Sequence, residues 1–320
     1  MKQHIVSKCY LKAWCDPSTP KAHEPYVWLI SRDGASKVKR APHKSLTKTD
    51  AYTLTFNDGK KDLRVETTLS QLKGKFVRVQ QKIVEHKSLD PYDRAYLAAF
   101  MATMHSRTDP MAEGMKESMS QLDSLVKKME EVIRRGDAAK LPPMISPGEG
   151  APISSADTEY LVRNARPLVV EGALDAAAPI MWRMPLAFLQ APEGSFFVTS
   201  DNPCVWFDPA AYKRHPFYRN PGLAMKDVEI TMPIAPGVLA LQTHNPSVQG
   251  YKHLTVAQVD ELNRRTVGFC DKLFVSISPE TRPMWFDPGT PPADAWENRV
   301  KEEEPRRSSF DPKPVNVERA

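Results

Sequence analysis

Val65, Leu69, Leu72, Phe76, Val79 and Ile83 recur at steps of 4, 3, 4, 3 and 4 residues. Only an α-helix gathers such a set on one stripe, so a half-buried helix over this stretch constrains the fold more than any other feature. A second helix has a legible start. Asp90 can cap it, Pro91 suits the first turn, and Asp93 puts negative charge near the positive end of the helix dipole. Tyr96, Leu97, Phe100, Met101 and Met104 form its buried face. Leu122, Leu125, Val126, Met129, Val132 and Ile133 predict a third helix, which stops near Gly136.

Strand signals lie on both sides of this helical centre. Tyr26–Ser31 is β-prone and ends at the Asp33-Gly34 turn; Ala51–Phe56 precedes Asn57-Asp58-Gly59, a hairpin signal. The second half predicts a helix over Tyr160–Ala177. It then predicts a strand pair, 186–190 with 196–199, around Pro192-Glu193-Gly194, and another, 229–234 with 238–242, around Pro236-Gly237. A helix over 256–267 and a strand over 272–277 follow. The fold class is α+β, with a small β-rich N-terminal region, a central helical hairpin or bundle and a mixed C-terminal half. The chain divides into 1–140, a Pro/Gly linker or loop over 141–155, a mixed region over 156–285, and a tail over 286–320. Six prolines and the run Glu302-Glu303-Glu304 make that tail read as disordered.

A hydrophobic fraction of 41% and a charged fraction of 26% over 320 residues are those of a soluble globular protein. They exclude fibrous and disulfide-dense classes. The apolar stretch Leu168–Ala191 is interrupted by Glu171, Asp175 and Arg183, so no membrane span is expected. The opening MKQHIVSKCY lacks a signal-peptide core. Cys9, Cys15, Cys204 and Cys270 match no zinc spacing, so reduced cysteines in a cytoplasmic protein are expected. Charge is unevenly spread: residues 1–88 hold 18 Lys and Arg against 8 Asp and Glu, which is +10. A basic third of this kind suits nucleic acid or a phosphate-bearing small molecule, although a solvated lysine-rich surface would look the same.

Polar residues beside apolar elements are the site candidates. In Phe196-Phe197-Val198-Thr199-Ser200-Asp201-Asn202-Pro203 an apolar strand ends in a polar cluster. Asp201 could be a general base or metal ligand there and Asn202 could orient a substrate; the alternative is an Asx turn bonding its local backbone. His4 precedes the apolar Ile5, Val6, Tyr10, Leu11 and Trp14. Glu66 borders the helix stripe, with Lys73 two turns on as its expected partner. Arg107 and His105 share the buried side of the second helix near its end, where a cation also complements the dipole.

These motifs together resemble a large, mainly bacterial family catalogued as domain of unknown function 4238. The likeness runs through His4-Ile5-Val6-Ser7-Lys8-Cys9-Tyr10-Leu11 to Trp14, Glu66–Leu72, Phe100 to Arg107-Thr108, and Thr199-Ser200-Asp201-Asn202-Pro203. It covers roughly residues 1–280. Ser7 stands where the family often has Pro, Lys73 where it tends to have a second Glu, and Met104 where it tends to have Gln. A divalent metal held by Glu66 and a second acid would meet the ammonium of Lys73 instead, which weakens a metal as cofactor. The resemblance groups His4, Glu66, Arg107, Asp201 and Asn202 as one site. On this basis we expect a hydrolase-type enzyme acting on a phosphate-containing substrate, a nuclease included. Asp201 or His4 would be base, Arg107 anion holder and Glu66 orienting group. The alternative is a non-catalytic binding or regulatory module in which the same cluster is structural.

Overall fold

The computed structural model describes residues 2–20, 22–136, 153–215 and 219–288, and over them the chain is an α+β protein. The N-terminal region holds β1 (Lys2–His4), α1 (Lys8–Leu11), β2 (Val27–Ser31), β3 (Lys37–Arg40), β4 (Thr47–Thr49), β5 (Leu54–Thr55) and β6 (Lys61–Asp62). The hairpin at Asn57-Asp58-Gly59 joins β5 to β6, with Gly59 at a φ of +82° that glycine adopts without strain. Of the Ala51–Phe56 stretch only two residues are strand, because Ala51 and Tyr52 form a buried turn instead.

The helical centre consists of α2 (Arg64–Val84), α3 (Pro91–Ser106) and α4 (Asp109–Arg134). The buried residues of α2 are the six of the periodic stripe. A reciprocal capping box opens α3: Asp90 accepts from the Asp93 amide at 2.8 Å, and Asp93 from the Asp90 amide at 3.2 Å. The third helix starts well before its apolar pattern and buries only Ala112 and Val126. Leu125 and Ile133 are 55% and 56% exposed.

The single helix expected over Tyr160–Ala177 is broken into α5 (Ser155–Arg163) and α6 (Ala165–Gly172). A π-helical turn, Ala173–Ala177, leads on to α7 (Ala178–Arg183). The break falls at buried Asn164, whose side chain pairs with the backbone of β5. Its Nδ2 donates to Thr55 O at 3.0 Å and its Oδ1 accepts from Thr55 N at 2.7 Å. Such a side chain satisfies another segment's backbone and marks a helix end rather than an interior.

The remaining elements are β7 (Leu186–Gln190), β8 (Thr199–Ser200), β9 (Val205–Phe207), β10 (Glu229–Ala235), β11 (Val238–Thr243), β12 (Gly250–His253), α8 (Val256–Phe269) and β13 (Leu273–Ser276). One sheet has the order β12-β7-β11-β10-β9 and is antiparallel except between β12 and β7. The other is β3-β2-β13-β8, antiparallel throughout. The expected pairing of 186–190 with 196–199 does not form. Both edges of β7 are already taken by β11 and β12, so Thr199 and Ser200 pair with Val275 and Phe274 instead. The hairpin at Pro236-Gly237 forms as expected.

Strands from the two ends of the chain thus complete one sheet. Tyr10, Trp14, Phe76, Phe100, Phe188 and Met232 share one core drawn from every region. Most of the 141–155 linker lies outside the described residues, as does the tail beyond Pro288. Of the tail expected from 286 onward only residues 286–288 are described. A 3₁₀ turn, Pro283–Phe286, buries Trp285, and the Phe286 ring lies so close to Gly34 that a Cβ there would meet it at 2.7 Å. No helix among the described residues is long and apolar enough to cross a membrane.

Candidate functional site

The N-terminal segment reaches the candidate site through backbone geometry. Antiparallel pairing of β1 with β4 sets Gln3 opposite Lys48 and His4 opposite Thr47. Buried Gln3 then works at both ends: Nε2 donates to Glu66 Oε2 at 2.5 Å, and Oε1 accepts from the Tyr52 amide at 2.7 Å. Glu66 therefore faces Gln3 rather than forming the expected ion pair with Lys73.

Arg107 caps the C-terminus of α3 and is 1% exposed. Its guanidinium spends every nitrogen on the protein. Nε donates to Tyr52 Oη at 3.1 Å, Nη1 to Ser7 Oγ at 3.0 Å, and Nη2 to the His4 carbonyl. The Tyr52 ring lies 5.1 Å from its Cζ, within cation–π range. All these partners are neutral, and no carboxylate pairs with it among the described residues. A buried charge so placed is solvated by dipoles but not cancelled.

That uncancelled charge acts on its neighbours. His4 is half-buried, and burial is the largest cause holding its imidazole below the usual value. Repulsion from Lys73, Arg107 and Lys8 adds to this, against a backbone hydrogen bond at Pro42. The buried Nε2 of His4 has no hydrogen-bond partner among the described residues. Burial and Arg107 likewise lower Lys73, opposed by Cys9 and Glu66. Burial raises the Cys9 thiol, which is therefore not an activated nucleophile.

His4, Glu66 and Arg107 thus meet in one centre, with Lys73 beside them. Asp201 and Asn202 do not join it. The Asp201 carboxylate accepts from the amides of Asp271 at 2.8 Å, Lys272 at 2.7 Å and Leu273 at 3.0 Å, fastening the turn that enters β13. Burial still pushes its carboxyl up, against the pull of those three donors. The bonds are long-range, not the local Asx turn that the sequence allows. Asn202 Nδ2 donates to Phe269 O at 3.0 Å. His105 is half-buried and stacked on Trp206 at 4.1 Å, its Nδ1 3.0 Å from Cys204 O, outside the centre.

Sequence reasoning missed Gln3, Ser7 and Tyr52 as members of the centre. It also missed the polar ends of Tyr10 and Trp14, which read as apolar positions. Trp14 Nε1 donates to Phe197 O at 3.0 Å. No spacing signals these roles, since each partner is remote in sequence.

The donor set does not suit a divalent metal. Glu66 is the one carboxylate of the centre, bound to an amide and close enough to Lys73 to act on its charge, and no three His, Cys, Asp or Glu side chains gather as ligands among the described residues. All four cysteines are free thiols.

No curated protein and no solved structure matches the chain. A family model described as "Protein of unknown function (DUF4238)" matches residues 2–280, a span that holds every residue of the centre and the Asp201 clamp. Matched over that length, the chain belongs to the DUF4238 family.

Proposed function

We propose that the chain binds a phosphate-bearing ligand at the centre of His4, Lys73 and Arg107. What carries this reading is the guanidinium of Arg107, buried with neutral acceptors only, so that its field and the ammonium of Lys73 act together on one spot. Glu66 is the single opposing carboxylate, and it is held by Gln3. An anion entering there gains Coulomb energy from cations that are already partly desolvated. Arg107 contributes through its field and by holding His4 in place, since its N–H groups are occupied. The +10 charge of residues 1–88 supports the same ligand class, nucleic acid included. A cytoplasmic setting agrees with four free thiols.

Titration with inorganic phosphate and pyrophosphate at low salt tests this reading. Lys73→Met should weaken binding about tenfold, the usual scale for removing one partly buried charge partner. Equal affinity in wild type and Lys73→Met would overturn it.

Hydrolysis of the bound ligand is a second reading, favoured by one observation. Burial and nearby cations favour the neutral form of His4, the form a general base needs, and its buried Nε2 has no hydrogen-bond partner among the described residues. With Asp201 bonded to three amides, His4 is the remaining base. Cleavage of RNA, DNA or small phosphodiesters, lost in His4→Asn, would support this reading. No cleavage with or without Mg²⁺ or Mn²⁺ would leave the binding module.

A further inference from the structure

A separate cleft of about 710 Å³ opens between α4 and the α5–α6 pair, with Lys48 at its rim. It shares no residue with the His4 centre. Its size falls in the range of small-molecule sites, about 300–1,000 Å³.

The charges of this cleft are ordered along its length. At one end, Lys48 and Arg166 share the single carboxylate of Asp109, at 2.6 and 2.5 Å. At the other, Lys127 bridges Asp123 on its own helix at 3.0 Å and Glu159 across the cleft at 2.8 Å. The middle is different. Lys116 on α4 has no partner among the described residues, and Arg163 on the opposite wall donates only to Phe56 O and Asn57 Oδ1, both at 3.3 Å. Two cations without a carboxylate therefore flank the middle from opposite walls. Glu113 is the one acid there, and it makes no ion pair. Beside them Ala112, Val162 and Ala165 supply an apolar lining.

We propose that this cleft binds a small organic phosphate, with the phosphate between Lys116 and Arg163 and the carbon moiety over Ala112, Val162 and Ala165. A phosphate group supplies oxygens to both cations at once and offsets the positive charge that the one acid, Glu113, leaves unmatched. The apolar lining separates an organic phosphate from the free ion, because that surface is buried only by a ligand with a carbon part.

Calorimetric titration at low salt with phenyl phosphate, inorganic phosphate and phenylacetate tests the assignment. Phenyl phosphate should bind at least tenfold more tightly than either control. The double variant Lys116→Gln/Arg163→Gln, at two exposed positions, should weaken it tenfold or more with an unchanged melting temperature. Read in a Lys73→Met background, which weakens the other phosphate centre, the loss in the double variant should persist, and Glu113→Gln should strengthen phenyl phosphate binding severalfold. An unchanged affinity in the double variant, equal binding of phenylacetate, or no binding of phenyl phosphate by the wild type would each overturn the proposal. Phenyl phosphate binding abolished by Lys73→Met with Lys116 and Arg163 intact would place the ligand at the His4 centre alone and also overturn it. The two sites thus fail separately.

Discussion

The hydroxyl of Thr199 lies 2.6 Å from that of Tyr10, 189 residues earlier in the chain. Because the Tyr10 O–H is already donated to Pro233 O at 2.7 Å, the Thr199 hydroxyl must be the donor. Both groups are buried, so α1, β8 and β10 are pinned together by a chain of two bonds.

Removing that phenol should leave both Pro233 O and the Thr199 hydroxyl unpaired. Tyr10→Phe is expected to lose about 2–3 kcal/mol, while Thr199→Val, which spares the bond to Pro233, loses about 1 kcal/mol. Urea unfolding of both variants checks the order. Equal losses would show that the bond to Pro233 contributes little.

Arg107→Lys keeps the charge but not the fork. A lysine reaches one of the acceptors Tyr52 Oη, Ser7 Oγ and His4 O, and leaves the others dry. The expected loss is about 2–4 kcal/mol. The denaturation midpoint should fall with an unchanged slope. A wild-type midpoint would mean that Arg107 does not organise the centre.

Asp201→Asn separates clamp from catalyst. An amide offers one acceptor atom to three backbone N–H groups, and its NH₂ opposes at least one of them. A loss of about 1–3 kcal/mol is expected, with ligand binding at His4 intact once the protein is folded. Intact stability with lost hydrolysis would instead restore Asp201 as a base.

Asp16 gives the acid limb a measurable contributor. Desolvation opposes its charge. Hydrogen bonds from Ser18, Trp28 and Tyr26 outweigh this and hold the carboxyl at about 2. A folded value below the unfolded one means the contribution is whole above about pH 4 and is lost as pH falls through 2. Between pH 5 and 2, Asp16→Asn should lose less stability than wild type. The difference should be on the order of 1 kcal/mol after solvent screening. Parallel pH profiles would count against it.

Trp285 fastens the last described turn to α8. It is 3% exposed and donates to Asp260 Oδ1 at 2.9 Å, while Arg282 reaches Oδ2 at 2.6 Å. Trp285→Ala should cost about 3–5 kcal/mol. A change below 1 kcal/mol by thermal or urea unfolding would show that this turn contributes little to the core.

The sequence alone determined the elements whose causes are local. The stripe from Val65 to Ile83 and the Asp90 cap depend on neighbours three or four residues away, so the chain writes them directly. The turn at Pro236-Gly237 is set in the same way. Tertiary structure decided whatever depends on a remote partner. Asn164 breaks a helix only because Thr55 offers its backbone, and β8 joins β13 only because both edges of β7 are filled. Likewise, His4, Glu66 and Arg107 read as polar residues beside apolar stripes, and the fold alone brought them together. Asp201, similar to them in the sequence, went to three amides some seventy residues away. Apolar periodicity tells a side chain which face to bury, but it carries no information on which distant donor will meet a buried polar group there.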